Sequence, residues 1–460
     1  MKNAGVTIEQ GPSDWQIIQR NGHGLGEFTI SGTWSTDQKQ FWIQARLVDE
    51  QTNAPVTQHL DWQDAALDIT NEKFTLTFKE IPAGGLYRVE TRVKRPFAND
   101  TRAMRGDYIH HLGVGDIYVV AGQSNASGTG KGPVLDGPQL GVHVFANDEQ
   151  WKIAMHPLED ATHTLHPITI TSVFHGHSPW LAFAKRILSA TGIPVGLIPT
   201  ALGGSPISMW VTDSGEPGVL FENMMDMVNK AGGKVAGVLW HQGESDAWCG
   251  DEPMSQYADR FEKLVSLFRR ELHDPKLPVF TGQLNGFVGD QSYPCNWSRM
   301  RELQRKLAQT MDRVYMAVTI DCLMSDEVHN NSAGCVLAGE RYADLALKYV
   351  YGKPIMAECP EPTRVAFENS NRTQVIVSFK NLSGDWTPNA IERSFRAEDE
   401  TGEIPIKKAE RLPNGDIRIH LSRSAGKLPM LHALYGVFPA ITLRDDSCRP
   451  VTPFSVPVSQ

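Results

Sequence analysis

The chain has 460 residues, 41% hydrophobic and 21% charged, with a net charge of −9. That length predicts two or three domains rather than one, and the composition is that of a folded globular protein rather than a disordered one. The acidic balance, with no Lys/Arg-rich run, argues against a nucleic-acid partner and favours a neutral or weakly charged small substrate.

Residues 1–110 read as a β domain. Phe41, Ile43, Ala45 and Leu47 alternate with more polar neighbours, as do Phe74, Leu76 and Phe78, then Tyr87, Val89 and Val93. Period-two alternation over short runs predicts strands with one buried face, here a sandwich or jelly roll. Ala83-Gly84-Gly85 predicts a turn. From 111 to 355 apolar runs alternate with helical patterns. Strands are predicted at Ile117–Ala121, Val195–Ile198, Val235–Trp240, Val279–Phe280 and Val314–Val318. Ser178-Pro179 suits a helix start, with Ser178 as cap and Pro179 in the first turn. Leu181, Ala184, Ile187 and Leu188 give that helix one apolar face. Tyr257, Phe261, Leu264, Val265, Phe268 and Leu272 recur at helical spacing. Such alternation predicts an α/β unit with a parallel sheet covered by helices on both faces. Cys359-Pro360-Glu361-Pro362 reads as a linker. Residues 360–460 return to β, with Val375/Val377/Phe379, Ile417/Ile419/Leu421 and the hairpin signal Asn414-Gly415.

No run approaches ~18 uninterrupted apolar residues, so no membrane span is expected. Met1–Val6 lacks the apolar segment of a secretion signal, which favours a cytoplasmic location. The six cysteines (Cys249, Cys295, Cys322, Cys335, Cys359, Cys448) have no Cys-x-x-Cys spacing, so neither a disulfide framework nor a zinc site is expected.

Ligands of open parallel sheets bind beyond the carboxyl ends of the strands. Gly122-Gln123-Ser124-Asn125 follows the first predicted strand, and Leu202-Gly203-Gly204-Ser205 comes after the second. His241-Gln242-Gly243-Glu244-Ser245-Asp246 follows the third; Asp321 and then Asp326-Glu327-Val328-His329 come after the fifth. A serine needs a base and a charge-stabilising pocket to act as a nucleophile. His329 can be that base, and Asp326, three residues earlier, can orient its ring and stabilise its cation. The N–H of Ser124, a glycine N–H near Gly203 and the amide of Gln242 are suitable oxyanion donors, each worth about 2.7–4 kcal/mol in such sites. Asp321 reads as a structural carboxylate.

These segments carry a family resemblance. Gly115–Asn125, Gly196–Trp210, Val238–Ser245 and Asp326–His329 resemble, in order, four blocks of the sialate O-acetylesterase group of SGNH hydrolases. Four ordered blocks over roughly 215 residues are a specific signal, where any one alone is weak. The tail Tyr435-Gly436-Val437-Phe438-Pro439 and Thr452-Pro453-Phe454 is similar to the family's C-terminal end. The resemblance implies a flavodoxin-like α/β/α sandwich with a five-stranded parallel sheet, flanked by β segments. It also implies metal-free, cofactor-free removal of O-acetyl groups from sialic acid or another sugar. By position it implies Ser124 as nucleophile, His329 as base, Asp326 as its partner, and Ser124, Gly203 and Gln242 as the oxyanion hole, with Gly204 competing for the glycine role. Asn330 follows the histidine where the family commonly has proline, which leaves the loop shape open but not the triad chemistry.

Gln123 and Asn125 beside the serine, together with Trp210, Glu244 and Trp248, complete the expected substrate contacts; each tryptophan has a competing reading as core. Glu244 has a second reading as a loop brace. A paired-carboxylate glycosidase using Glu244 and Asp246 leaves Ser124 and Gln242 without roles. His156, His163, His166, His175 and His177 form a loop-like run whose spacing matches no compact metal site. The sequons at Asn125, Asn296, Asn371 and Asn381 are taken as chance. The expected partner is a small acetylated sugar, with xylan or mannan units as the rival to sialic acid. A non-catalytic glycan-binding protein on a hydrolase fold is the rival of another class.

Overall fold

The computed structural model describes residues 5–96, 104–169, 176–289, 294–387 and 390–460. Its central element is β1 (Met104–Gly122), a strand of 19 residues. With it run β2 (Val142–Phe145), β3 (Trp151–Ile153), β4 (Val195–Pro199), β5 (Gly237–His241), β6 (Val279–Gln283) and β7 (Val314–Val318). They lie in the order β3-β2-β4-β1-β5-β6-β7. Every neighbouring pair is parallel except β2 with β3.

The helices are α1 (Ser124–Ser127), α2 (Trp180–Thr191), α3 (Val219–Ala231), α4 (Glu244–Trp248), α5 (Asp251–Glu271), α6 (Pro294–Thr310) and α7 (Ser332–Tyr349). Alternate residues of β1 feed different cores. Ile117, Val119 and Ala121 pack with α3, α5 and α6, whereas Tyr118 and Val120 pack with α2 and α7. A strand buried on both faces reads as a continuous apolar run, which is why Ile117–Ala121 is legible. At the start of α2, Pro179 already has helical dihedrals, and Ser178 Oγ lies 3.5 Å from the Trp180 N–H.

The sheet departs from the expected five parallel strands in two ways. The short run Val142–Phe145 adds a sixth parallel strand beside β4. The long β1 also continues beyond the parallel layer, pairing antiparallel with Gly84–Lys94 and parallel with Ile17–Gln19. The sheet is therefore mixed and has eleven strands. The first half of β1 alternates in burial, as a one-faced strand does, and the second half is buried throughout. Residues 110 and 111, where a boundary is expected from the sequence, both lie inside this strand.

Before β1, strands Gly5–Gln10, Leu25–Ser35, Lys73–Pro82 and Ala66–Asp68 form a separate four-stranded sheet. It packs on the extension through Val6, Ile30, Phe74, Phe78, Leu47 and Val89. After α7, two further four-stranded sheets share a core around Trp386, Ile417 and Leu431 that also takes in Val318 and Ile320. The segment read as a linker is packed: Cys359 is buried, and Glu361 accepts from Arg305 at 3.0 Å and pairs with Lys380 at 3.0 Å.

Asp321, just past β7, joins these parts. Its carboxylate pairs with Arg341 of α7, 2.9 Å from Nη2, and with Arg444 at 2.5 Å. Burial opposes its charge, yet the two guanidiniums hold its pKa below the ordinary 3.8. A buried pair deprived of one partner is costly, so Asp321→Asn is expected to lose about 3–5 kcal/mol in denaturant unfolding at neutral pH. The stabilisation of a carboxylate with a lowered folded pKa is complete above the unfolded value and is lost as pH falls through the folded one. The gap between wild type and variant therefore stays constant down to about pH 4 and closes only below that.

Candidate active site

The parallel strands end at one edge, and their carboxyl-terminal loops enclose a cavity of about 640 Å³. Its formation begins with Gly122. This residue sits opposite His241 of β5 with φ +131°, and a Cβ there would lie 2.1 Å from the His241 carbonyl. Only glycine permits that approach. Gln123 then donates its N–H to His241 O, and α1 starts at Ser124. Ser124 is 7% exposed and lines the cavity.

Gln123, Gly203, Gly204, Glu244, Trp248 and His329 face the same cavity. Gly203 and Gly204 lie in a loop laced to the nucleophile turn: Leu202 N and Ser205 Oγ donate to Gly122 O at 3.2 and 3.3 Å. Both glycines reach the wall, so the competition between them stays open. His329 Nδ1 lies 2.8 Å from Asp326 Oδ2, while Asp326 Oδ1 accepts from the N–H groups of Val328 and His329 at 3.0 and 2.9 Å. Partial burial works against the Asp326 charge. The Val328 N–H, the His329 ring and the His329 N–H outweigh it, and the carboxyl titrates below its ordinary value.

Three expected contacts do not reach the cavity. Trp210 is 0% exposed and packs edge-on against Trp240 in the core, because the short helical turn at Ile207–Met209 directs it under the sheet. Gln242 is also fully buried. Its Nε2 is engaged by Gln123 Oε1 at 3.1 Å, Ser205 O at 3.2 Å and Asp246 Oδ2 at 2.5 Å. Burial raises the pKa of Asp246, which also accepts the Ile207 N–H. Gln242 thus supports Gln123 and the glycine loop from behind, and Gln123 lies against the cavity instead. Asn125 is buried too. Its Nδ2 donates to Glu244 Oε1 at 2.7 Å and Val328 O at 3.2 Å, and its Oδ1 accepts the Asn330 N–H at 3.1 Å. A proline at 330 has no N–H to give, so Asn330 supplies a tie that the usual family residue cannot. Glu244 both braces Asn125 and faces the cavity.

Asn285, Phe287 and Trp297 escaped the sequence reading. They follow β6, whose carboxyl end sequence inspection passed over although the post-strand rule applies to it equally. Phe287 and Trp297 stack at 4.8 Å and form an aromatic wall with Trp248, whose ring meets Phe287 edge-on at 5.1 Å. Asn285 Nδ2 donates to Val328 O at 3.0 Å and Asn330 Oδ1 at 2.9 Å, a second tie on the histidine loop besides that of Asn125.

Part of the histidine run converges after all. Asp136 Oδ2 lies 3.1 Å from His156 Nε2 and 3.0 Å from His177 Nε2, and Lys185 takes Oδ1 at 3.0 Å. Burial opposes the Asp136 charge, but these partners hold its carboxyl well below the usual range. The Ser178 N–H points to His156 Nδ1 at 3.4 Å, which leaves that ring's proton on Nε2, aimed at the carboxylate. A metal ligand needs that nitrogen bare, so the donor set fits a hydrogen-bonded ion cluster better than a metal. His175 lies outside the described residues.

Asn285→Ala removes both donors from the histidine loop. It is expected to cost about 1–3 kcal/mol in unfolding and to speed amide exchange at residues 328–330, since the buried Asn330 side-chain oxygen loses its donor and Val328 O keeps only that of Asn125.

A family model described as "carbohydrate esterase, sialic acid-specific acetylesterase" matches residues 114–348. A probable carbohydrate esterase of Arabidopsis thaliana is 29% identical over 185 residues, 35% of this chain; the chain spans 66% of that relative's length. The crystal structure of a carbohydrate acetylesterase from Xanthomonas citri superposes with a TM-score of 0.67 over 98% of this chain and 99% of its own, at 19% identity, a likeness of fold. The family match covers half of the chain, including the turn at Ser124, the glycine loop and the histidine loop, and the chain belongs to the sialic acid-specific acetylesterase family of carbohydrate esterases.

Proposed function

We propose that the protein is a serine esterase that removes O-acetyl groups from a neutral sugar. The observation that carries the reading is the meeting of Ser124 with the hydrogen-bonded His329–Asp326 pair in one cavity at the carboxyl edge of the sheet. Ser124 Oγ attacks the acetyl carbonyl while His329 takes its proton. The tetrahedral oxyanion is met by backbone N–H groups of Ser124 and the Gly203–Gly204 loop; the first N–H of a helix has no intrahelical acceptor and is free for this role. Collapse breaks the bond to the sugar oxygen, which leaves as an alcohol with the proton from His329. Water, deprotonated by His329, then attacks the acetyl-serine ester and releases acetate. Asp326 keeps the ring oriented and stabilises its cation in both halves.

The charge of the cavity supports the substrate class. Among the described residues its lining contains no Lys or Arg, but it does contain Glu244 and Glu327. A sialic acid carries a carboxylate that calls for a cation. Acetylated xylo- or manno-oligosaccharides do not. Sialic acid stands as the second reading, favoured by the description of the matching family model.

Ser124→Ala is expected to lower kcat by about a thousandfold or more. Intact mass after quenched turnover should find one acetyl group on the wild type and none on the variant. An undiminished Ser124→Ala sinks the nucleophile assignment. In a substrate panel, kcat/KM for acetylated xylo- or mannobiose is expected to exceed that for O-acetyl sialic acid by about tenfold or more. The reverse order selects the second reading.

A further inference from the structure

A further exposed aromatic ring stands next to the loop that supplies Phe287 to the cavity, and it comes from the tail Tyr435–Pro439 that resembles the family's C-terminal end. Trp248 is 45% exposed, its ring against Phe287. On the neighbouring residue, Gly286, lies the ring of Phe438: a Cβ on that glycine would be 2.5 Å from Phe438 Cδ2. Phe438 is 57% exposed. It reaches this place from the C-terminal β segment, about 150 residues further along the chain in sequence.

Its position is held firmly. The Phe287 N–H donates to Val437 O at 2.9 Å, and Ser298 Oγ accepts the Gly436 N–H at 2.7 Å. The fully buried Arg301 guanidinium donates to Gly436 O and Val437 O, and on its other side to Leu284 O and Asn285 O. Val437 itself belongs to the hydrolase core. The residue before Phe438 is thus anchored in the protein interior, while the phenyl ring is presented to solvent. Trp248 against Phe287 and Phe438 over Gly286 thus put two exposed aromatic rings on adjacent residues of one loop, the arrangement of a contact surface rather than of a lone exposed side chain.

On these grounds we infer that Trp248 and Phe438 form a subsite for further sugar units of the chain that carries the acetyl group, so that the C-terminal segment selects oligosaccharides over monosaccharides. The inference rests on the esterase reading for the identity of the occupant. The apolar C–H face of a pyranose suits an exposed aromatic ring, and the subsite continues the wall of a cavity already lined by aromatic side chains. The absence of cations from the described cavity lining favours a neutral chain as the occupant over an acidic one.

The test reads binding without turnover. Ser124→Ala protein is titrated calorimetrically with xylose- and mannose-based di- and tetrasaccharides lacking acetyl groups. Affinity for at least one tetrasaccharide is expected to exceed that for the matching disaccharide. Phe438→Ala in that background should weaken tetrasaccharide binding by about threefold to tenfold, and shrink the advantage of the longer chain. Gly286→Ala, which pushes the ring aside without removing it, should act in the same direction. Unchanged tetrasaccharide affinity in Phe438→Ala overturns the subsite, and so does failure of both tetrasaccharides to bind. Failure of the esterase reading appears elsewhere, as undiminished turnover by Ser124→Ala, so the two are told apart.

Discussion

The side chain of Asn125 joins three loops that nothing local could hold together. It lies next to the nucleophile turn of β1, bonds Glu244 after β5, and grips both Val328 and Asn330 around the histidine. Those partners are 119, 203 and 205 residues away in sequence. A buried amide left unsatisfied costs roughly 1–3 kcal/mol per group, so this one is locked by its own desolvation as much as by the bonds it makes. Its reach depends on Gly122, whose missing Cβ lets the ends of β1 and β5 close up. With a side chain at 122 the two strand ends move apart, and Ser124 no longer stands in register with Glu244 and the histidine loop.

A second buried group does for the rest of the chain what Asn125 does for the site. Among the described residues Arg301 has no carboxylate partner; it spends its donors on four backbone carbonyls, two after β6 and two in the C-terminal segment. Burial lowers its pKa. Together with Asp321, which links Arg341 to Arg444, it ties the last β sheets to the α/β layer. The N-terminal sheets are attached by a different device, the uninterrupted backbone of β1. The flanking β parts are thus extensions of the central sheet and its loops, not appendages on tethers.

Much of this was legible in the sequence, and the misses have physical causes. Strands buried on both faces announce themselves as apolar runs, and glycine-rich sequence after them marks where a ligand can approach, so Ser124, Gly203 and His329 could be brought together on paper. Side-chain direction could not. Gln242 and Trp210 occupy motif positions, but Gly243 at φ +143° and the turn at Ile207–Met209 aim them into the interior. Val142–Phe145 is too short a run to stand out as a strand without its neighbour β4. The extension of β1 was hidden because a one-faced strand and a two-faced strand meet within it, and pattern reading divides the chain where the period changes. The His156–His177 contact with Asp136 depends on tertiary approach that spacing does not encode.

The electrostatics of the cavity bind these features into one argument. Two like charges about 4 Å apart near a protein surface repel by roughly 4 kcal/mol. In the proposed mechanism, the wall carboxylates Glu244 and Glu327 therefore favour an imidazolium on His329 and disfavour an oxyanion beside Ser124. That mechanism requires the oxyanion to be met by fixed N–H dipoles while the carboxylates are drawn elsewhere. Asn125 takes one oxygen of Glu244, and His241 Nε2 lies 3.9 Å from the same oxygen, behind the wall. The same field repels an anionic substrate at the moment of binding, before any catalytic group acts on it. Under the proposed esterase reading, a neutral sugar is the substrate this field tolerates, and its affinity then comes from uncharged contacts, the role left to the aromatic wall.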